Sequence, residues 1–553
     1  MEEEKGLAAT KNAEVTVDQM LTHVGEFKRY QWLLDAIYCI MLIPATYQVL
    51  IMYFAALNPP WRCIKNSTSC TSNQTFDGDD KTRCNLPRSE WEYTEAKEYS
   101  IVTQFDIYCD KEWQIHLTTS ILFIGWGIGA VVLGWVADNY GRKNVLFPCM
   151  VMVMLAGFVT SFAPNITLFI ICRFLVGFFT PGTSMQMFIL ISEVVGSKFR
   201  PLAGIILWVF FTLALCILGL KAYFIREWKI LFIVCTVPYV FVLLFFKLIP
   251  ESVRWLRLHG KVDEAMNILK NIAKWNKREI PSGVTICSAR KSAEAHKSSP
   301  LDLFKTRRMA IKTLTQGYGW MVNGMVYYGL SLAADDLGGS LYRNYVLLSA
   351  IEFPATIMAI VFCERFGRKK TVIMPMVVGG IACVLVAFVP DTGDAKYLRV
   401  VIGMVGKMCI TLSFDAISTW SVEIYPTAVR AEGMGFCIVT SRIGAASAPW
   451  VAKGLKSLHK SVPFAFMGIA TLLAVAGLLA LPETRGVVTS ETAEGEQGLQ
   501  LQDFCHDFIE EVFLYIFLQK LNIFEVHRLH FFSYTAQSFC LLADATKSIM
   551  SMN

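Results

Sequence analysis

Gly134–Lys143 reads GWVADNYGRK, and 226 positions further on Ile360–Lys369 reads IVFCERFGRK. Arg173 and Gly177 return at the same offset as Arg399 and Gly403. Glu193 and Arg200 return 230 positions on as Glu423 and Arg430, and Pro250-Glu251-Ser252 returns 232 positions on as Pro482-Glu483-Thr484. A period this long excludes a solenoid, whose units run about 20–50 residues. It predicts one domain, occurring twice.

Hydropathy says where such a domain resides. The chain is 54% apolar with a mean hydropathy of +0.45, and the apolar residues fall in runs such as Trp113–Ala137, Ile166–Ile191 and Val400–Val422. Twelve runs, six per half, approach the roughly 20 residues that cross the hydrocarbon of a bilayer. The first, Trp32–Leu57, follows 31 largely polar residues and lacks a small-residue cleavage site, so it reads as a span rather than a leader. The expected architecture is an all-α membrane protein: a cytoplasmic N-terminus (1–31), a six-helix bundle (32–249) with an extracellular loop (58–112), a linker (250–310), a second bundle (311–481) and a tail (482–553). Paired membrane halves of this kind are the usual frame of alternating-access transport, with the lipid bilayer as constant partner.

The net charge of +6 fits basic cytoplasmic loops rather than nucleic-acid binding. The linker Glu251–Thr306 holds eleven Lys and Arg, which favours the cytoplasm. The first loop carries Cys63, Cys70, Cys84 and Cys109 beside two glycosylation sequons at Asn66 and Asn73, a combination suited to an oxidising exterior. Four cysteines allow three pairings, and sequence does not choose among them. Both termini are then cytoplasmic and the membrane is the plasma membrane. No Walker loop, HExxH or GxSxG is present, so enzymatic chemistry, a bound metal and a cofactor are not expected.

In GWVADNYGRK, Gly134 permits close helix contact, Asp138 places a carboxylate at a helix end, and Gly141 permits a tight turn. Arg142 and Lys143 can pair with Asp138 or cap neighbouring carbonyls. Such a cluster can form in one conformation and break in another, as a latch. The second copy supplies Glu364, Gly367 and Arg368, and Glu193, Arg200, Glu423 and Arg430 are expected to complete the network.

These motifs resemble the major facilitator superfamily. PESVRWL (250–256), VEIYPTAVR (422–430) and LPETRG (481–486) are similar to the solute carrier 22 family, over roughly Val24 to Gly486. VYYGLSLAADDLGG (326–339) and AIEFPA (350–355) resemble its organic cation, carnitine and zwitterion branches. The resemblance implies two six-helix bundles around a central cavity that opens to either side in turn, working as a monomeric unit. At matched positions it implies that Arg442 meets substrate carboxylates, where dedicated cation carriers tend to have an aspartate. Glu352 matches an acid suited to an ammonium, and Lys407 is shared by anion and carnitine carriers. Tyr327 and Tyr328 fall where aromatic pairs line the cavity, and aromatic faces attract cations by about 0.5–2 kcal/mol. Phe414 and Trp208 could extend that cage.

Asp415, mid-span, is read on physics alone: charges within a span are costly and call for a functional reading. Lys407 at i+8, Arg442 and a substrate cation are its open partners. An acid, an arginine and aromatics describe a site for a small organic cation or zwitterion of the carnitine, betaine or ergothioneine type. Sodium coupling through cavity carboxylates and facilitated diffusion are equally compatible. An organic anion exchanger and a non-transporting sensor or scaffold are the alternatives.

Overall fold

The computed structural model describes residues 14–64, 70, 75–78, 81–280, 284–286, 300–390, 393–426 and 429–485. Both sequons, at Asn66 and Asn73, and the chain beyond 485 lie outside them. The first half begins with strand β1 (Glu14–Val15) and the short helix α1 (Val17–Val24). Six long helical segments follow: α2 (Arg29–Leu50), α3 (Trp113–Tyr140), α4 (Arg142–Ser161), α5 (Ile166–Val194), α6 (Arg200–Phe224) and α7 (Trp228–Thr236), whose helical path runs on to Lys247. Two linker helices, α8 (Val253–Leu258) and α9 (Val262–Trp275), lead to the second half. That half comprises α10 (Arg307–Leu332), α11 (Leu341–Ala350) running into α12 (Glu352–Phe366), α13 (Arg368–Phe388), α14 (Ala395–Ile424), α15 (Arg430–Pro449) and α16 (Val462–Leu478).

Among the described residues nine helices are long and apolar enough to cross a membrane. The other three positions of the expected twelve are filled by α10, α15 and α16. Helix α16 is apolar but has 17 residues. Helix α10 is diluted by Lys312, Gln316 and Asn323, all buried against protein, where polar side chains escape the hydrocarbon. Helix α15 carries Arg430, Glu432 and Arg442.

Small residues set the spacing inside each half. A Cβ on Gly129 or Gly177 would collide with the backbone of Phe178 or Leu122, so α3 and α5 touch backbone to backbone. Gly444 brings α15 onto Met321 of α10 in the same way. The repeated arginines are internal ties: buried Arg173 donates to the Gln48 carbonyl at 2.8 Å, and Arg399 donates to that of Val389 at 2.8 Å.

The cysteine-bearing loop folds on its own small core. Strand β2 (Trp61–Cys63) lies between β3 (Thr75–Phe76) and β4 (Trp91–Tyr93), antiparallel to both. Trp61 stacks on Phe76 at 4.4 Å and meets Trp91 edge-on. Cys63 pairs with Cys70, and Cys84 with Cys109.

The halves meet along α3 with α15 and α6 with α11. The seam runs from the cysteine-loop end to mid-depth. Ser120 donates to the Ala446 carbonyl at 2.5 Å and accepts from Trp450 Nε1 at 2.9 Å. Phe54 packs on Tyr342 and Tyr345.

Candidate functional site

Where the seam reaches mid-depth, α10, α12, α14 and α15 bring together most of the side chains singled out by sequence. Lys407 Nζ lies 3.1 Å from Glu352 Oε1, with the side chains 1% and 4% exposed. The same ammonium donates to the Tyr327 carbonyl and to Ser331 Oγ, each at 3.0 Å, so it is held from both α10 and α12. It also sits 3.2 Å from the Tyr327 ring centroid. Tyr327 OH donates to Glu352 Oε2 at 3.0 Å.

That arrangement corrects two expectations. Glu352 does not stand open for a cation, because Lys407 and Tyr327 take both its oxygens. Nor does Lys407 serve Asp415: eight residues along a helix is about 12 Å of rise, and α12 delivers a nearer carboxylate. Arg442 is not the partner of Asp415 either. Its Nη1 donates to Tyr328 OH at 3.2 Å, and its guanidinium carbon lies 4.1 Å from the Trp126 ring centroid, across the seam on α3. Arg442 Nε is buried without a hydrogen-bond partner, and no carboxylate among the described residues is ion-paired with it. Asp415 Oδ2 is buried without a hydrogen-bond partner.

The rings form a continuous wall. Tyr327 meets Tyr328 edge-on at 5.0 Å and stacks on Phe414 at 5.9 Å; Phe414 meets Trp320 at 5.5 Å, and Tyr328 meets Phe123 of the other half at 4.6 Å. Trp208 does not join it. Its ring is 42% exposed and packs on Phe188 and Phe211.

The charge clusters at the opposite end are built twice, on one plan. In the first half Arg142 reaches Asp138 at 3.2 Å and Glu193 at 3.4 Å, and Ser252 Oγ donates to Glu193. In the second, Arg368 reaches Glu423 at 2.8 Å and Thr484 Oγ1 donates to Glu423 at 2.6 Å. Each cluster also holds a glutamate that motif reading left out. Glu251 accepts from the backbone N–H groups of Arg142, Lys143 and Ser252, and Glu483 from those of Arg368, Lys369 and Thr484. Each therefore caps the N-terminus of a helix, α4 or α13, where anions are favoured. Gly141 and Gly367 take φ of +106° and +94° there, and a Cβ on either would collide with the capping carboxylate. Gly134, by contrast, faces open space.

Three expected members lie elsewhere. Glu364 is exposed, since Arg368 turns inward to Glu423 instead. Arg200 pairs with Asp18 of α1 at 2.7 Å, an acid that Arg254 shares at 2.6 Å. Arg430 donates to the Tyr425 carbonyl at 3.4 Å. The partners that sequence reading missed are Trp126, which carries no motif, and Ser331, which lies within VYYGLSLAADDLGG but looks like ordinary helix filling until packing aims it at Lys407.

A protein-family model described as "Sugar (and other) transporter" matches residues 63–495. "Solute carrier family 22 member 3" of Rattus norvegicus is 33% identical over 410 residues, 74% of each chain. The chain belongs to solute carrier family 22. "Organic cation transporter protein" of Drosophila melanogaster is 30% identical over 533 residues, covering 89% of this chain and 97% of its own. Among solved structures, the inward open conformation of the xylose transporter XylE from E. coli aligns with a TM-score of 0.58 at 14% identity, over 83% of this chain and 98% of that one. That likeness shows the fold: two bundles of the major facilitator superfamily. The family member described here is a membrane transporter, not an enzyme.

Proposed function

We propose that this carrier moves small organic cations and zwitterions of the carnitine, betaine or ergothioneine type across the plasma membrane, and that zwitterions are the class its site fits best. Relatives named as organic cation transporters support the cationic part. The observation that carries the zwitterionic part is Arg442: a guanidinium at mid-depth, held by a tyrosine hydroxyl and a tryptophan face, with no carboxylate paired to it among the described residues. A substrate carboxylate supplies the missing anion in a charge-assisted, bidentate geometry. With Glu352 engaged, the ammonium end falls to Asp415, whose Oδ2 is unbonded, and to the wall of Tyr327, Phe414 and Trp320. The disulfide-bonded loop supports an extracellular face at that end and cytoplasmic termini.

The test is uptake of labelled carnitine, ergothioneine, tetraethylammonium and p-aminohippurate, with lithium replacing sodium in a parallel set and surface biotinylation as control. Arg442→Ala should abolish transport of carboxylated substrates, since losing one partner of a buried charge pair costs about 2–5 kcal/mol. Wild-type cells that carry p-aminohippurate and neither zwitterion would instead establish an anion carrier. Loss of uptake on sodium removal would establish coupling to that ion.

A further inference from the structure

We infer that Lys407 is a tethered competitor for substrate cations: it occupies the Glu352 carboxylate and so makes this carrier select against cations that lack a carboxylate. The inference deepens the zwitterion reading and rests on it for the role of Arg442, but its own evidence is the Glu352 cluster.

An acid on α12 beside an aromatic wall has the chemistry of a cation site. Here every element of such a site is filled from within. Lys407 supplies the positive charge at 3.1 Å, Tyr327 supplies the hydrogen bond to the second carboxylate oxygen, and the Tyr327 ring receives the ammonium at 3.2 Å from its centroid. The lysine also donates to the Tyr327 carbonyl and Ser331 Oγ. Lys407 thus stands where a primary ammonium substrate would stand.

A solute ammonium would have to displace a partner fixed by covalent tether, and tethering acts as a very high effective concentration. A carboxylate-free cation can reach Asp415 and the rings, but it gains no anionic contact with Arg442, stands beside that fixed positive charge, and finds the Glu352 carboxylate already paired with Lys407. A zwitterion leaves the pair intact: its carboxylate binds Arg442, and its ammonium uses Asp415 and the rings. Selection against the wrong substrate is then built from an occupied site rather than a clash.

The experiment is uptake of tetraethylammonium and carnitine by the full-length carrier and by Lys407→Met, Lys407→Gln and the double variant Lys407→Met/Glu352→Gln, each normalised to surface biotinylation. Wild type should take up tetraethylammonium poorly. Lys407→Met should raise it by roughly tenfold, a small part of the hundredfold or greater advantage that tethering confers. Adding Glu352→Gln should erase the gain, since the vacated carboxylate is what the cation uses. Lys407→Gln keeps donors for the Tyr327 carbonyl and Ser331, and serves where the methionine variant fails to reach the surface. A role in folding alone would lower both substrates and could not produce a gain. Tetraethylammonium uptake that is already high in wild type, or that stays flat in surface-competent Lys407 variants, or a gain that survives Glu352→Gln, would overturn the inference. Failure of the zwitterion reading is read separately, as absence of carnitine uptake in wild type.

Discussion

Glu251 makes a quantitative claim about the duplicated clusters. Its carboxylate receives three backbone N–H groups at 2.8–3.2 Å, all at the start of α4 or α8. Hydrogen bonds to a charged group contribute about 1.5–3 kcal/mol each, against about 0.5–1.5 kcal/mol for neutral ones. Glu251→Gln keeps one acceptor oxygen and the shape, so the loss is roughly 1 kcal/mol for each of the three bonds made neutral, about 3 kcal/mol in total. For a unit of this size each kcal/mol shifts melting by about 2–4 °C, giving about 6–12 °C. Because Glu483 makes the same bonds at the start of α13, Glu483→Gln should cost a similar amount. Glu364→Gln, on an exposed residue, should cost nothing measurable. Thiol-reactive dye melting of the purified carrier at one heating rate reads all three. If Glu251→Gln melts within ~1 °C of wild type, the capping role is refuted.

Three further outcomes follow from other parts of the molecule. Cys109→Ser removes the Cys84–Cys109 bridge, typically about 2–4 kcal/mol to a loop with a small core, and should impair surface delivery; normal surface abundance by biotinylation would refute it. Gly177→Ala pushes a methyl group into the Leu122 backbone, so surface expression should fall well below that of Gly134→Ala, which meets open space; equal expression would refute the close contact. Asp336, in the turn after α10, is buried beside Lys453 and Lys456; burial raises its carboxyl above the usual range, against the pull of both lysines. A raised folded-state pKa means stability is fully present below the unfolded value and lost as pH rises through the folded one. Asp336→Asn should therefore remove a contribution that falls as pH rises, so that melting climbs more steeply with pH on the acid side, and an unchanged slope would refute that.

What sequence could read depended on the range of the interaction. The repeat exposed Arg142 with Glu193 and Arg368 with Glu423 because both copies keep the residues at matched offsets. It also displayed Glu251 and Glu483 as recurring letters, yet their role as helix caps depends on backbone donors more than 100 residues away, which no local pattern records. Motif symmetry misled at Glu364: it occupies the Asp138 position, but the turn of Arg368 toward Glu423 leaves it in solvent. In the cavity, residue types were legible and pairings were not. Lys407 and Asp415 share a helix, and Glu352 reaches Lys407 only through the packing of α12 on α14. Likewise, α10 and α15 fall short as apolar spans because their polar residues face protein, so hydropathy understates helices that line an interior.

The seam between the halves has a thermodynamic character of its own. Its contacts are mostly rings and hydroxyls, Phe54 on Tyr342 and Tyr345, Trp450 on Ser120 and Phe123 on Tyr328, with the Arg442 and Arg226 guanidinium groups resting on Trp126 and Tyr342. Among the described residues, an ion pair that spans it, Lys460 with Asp77, is exposed on both sides at 4.0 Å. Parting such a surface hydrates aromatic area, which raises heat capacity, so the balance between the two facings should curve with temperature. Added salt, which screens exposed charge pairs, should scarcely move it.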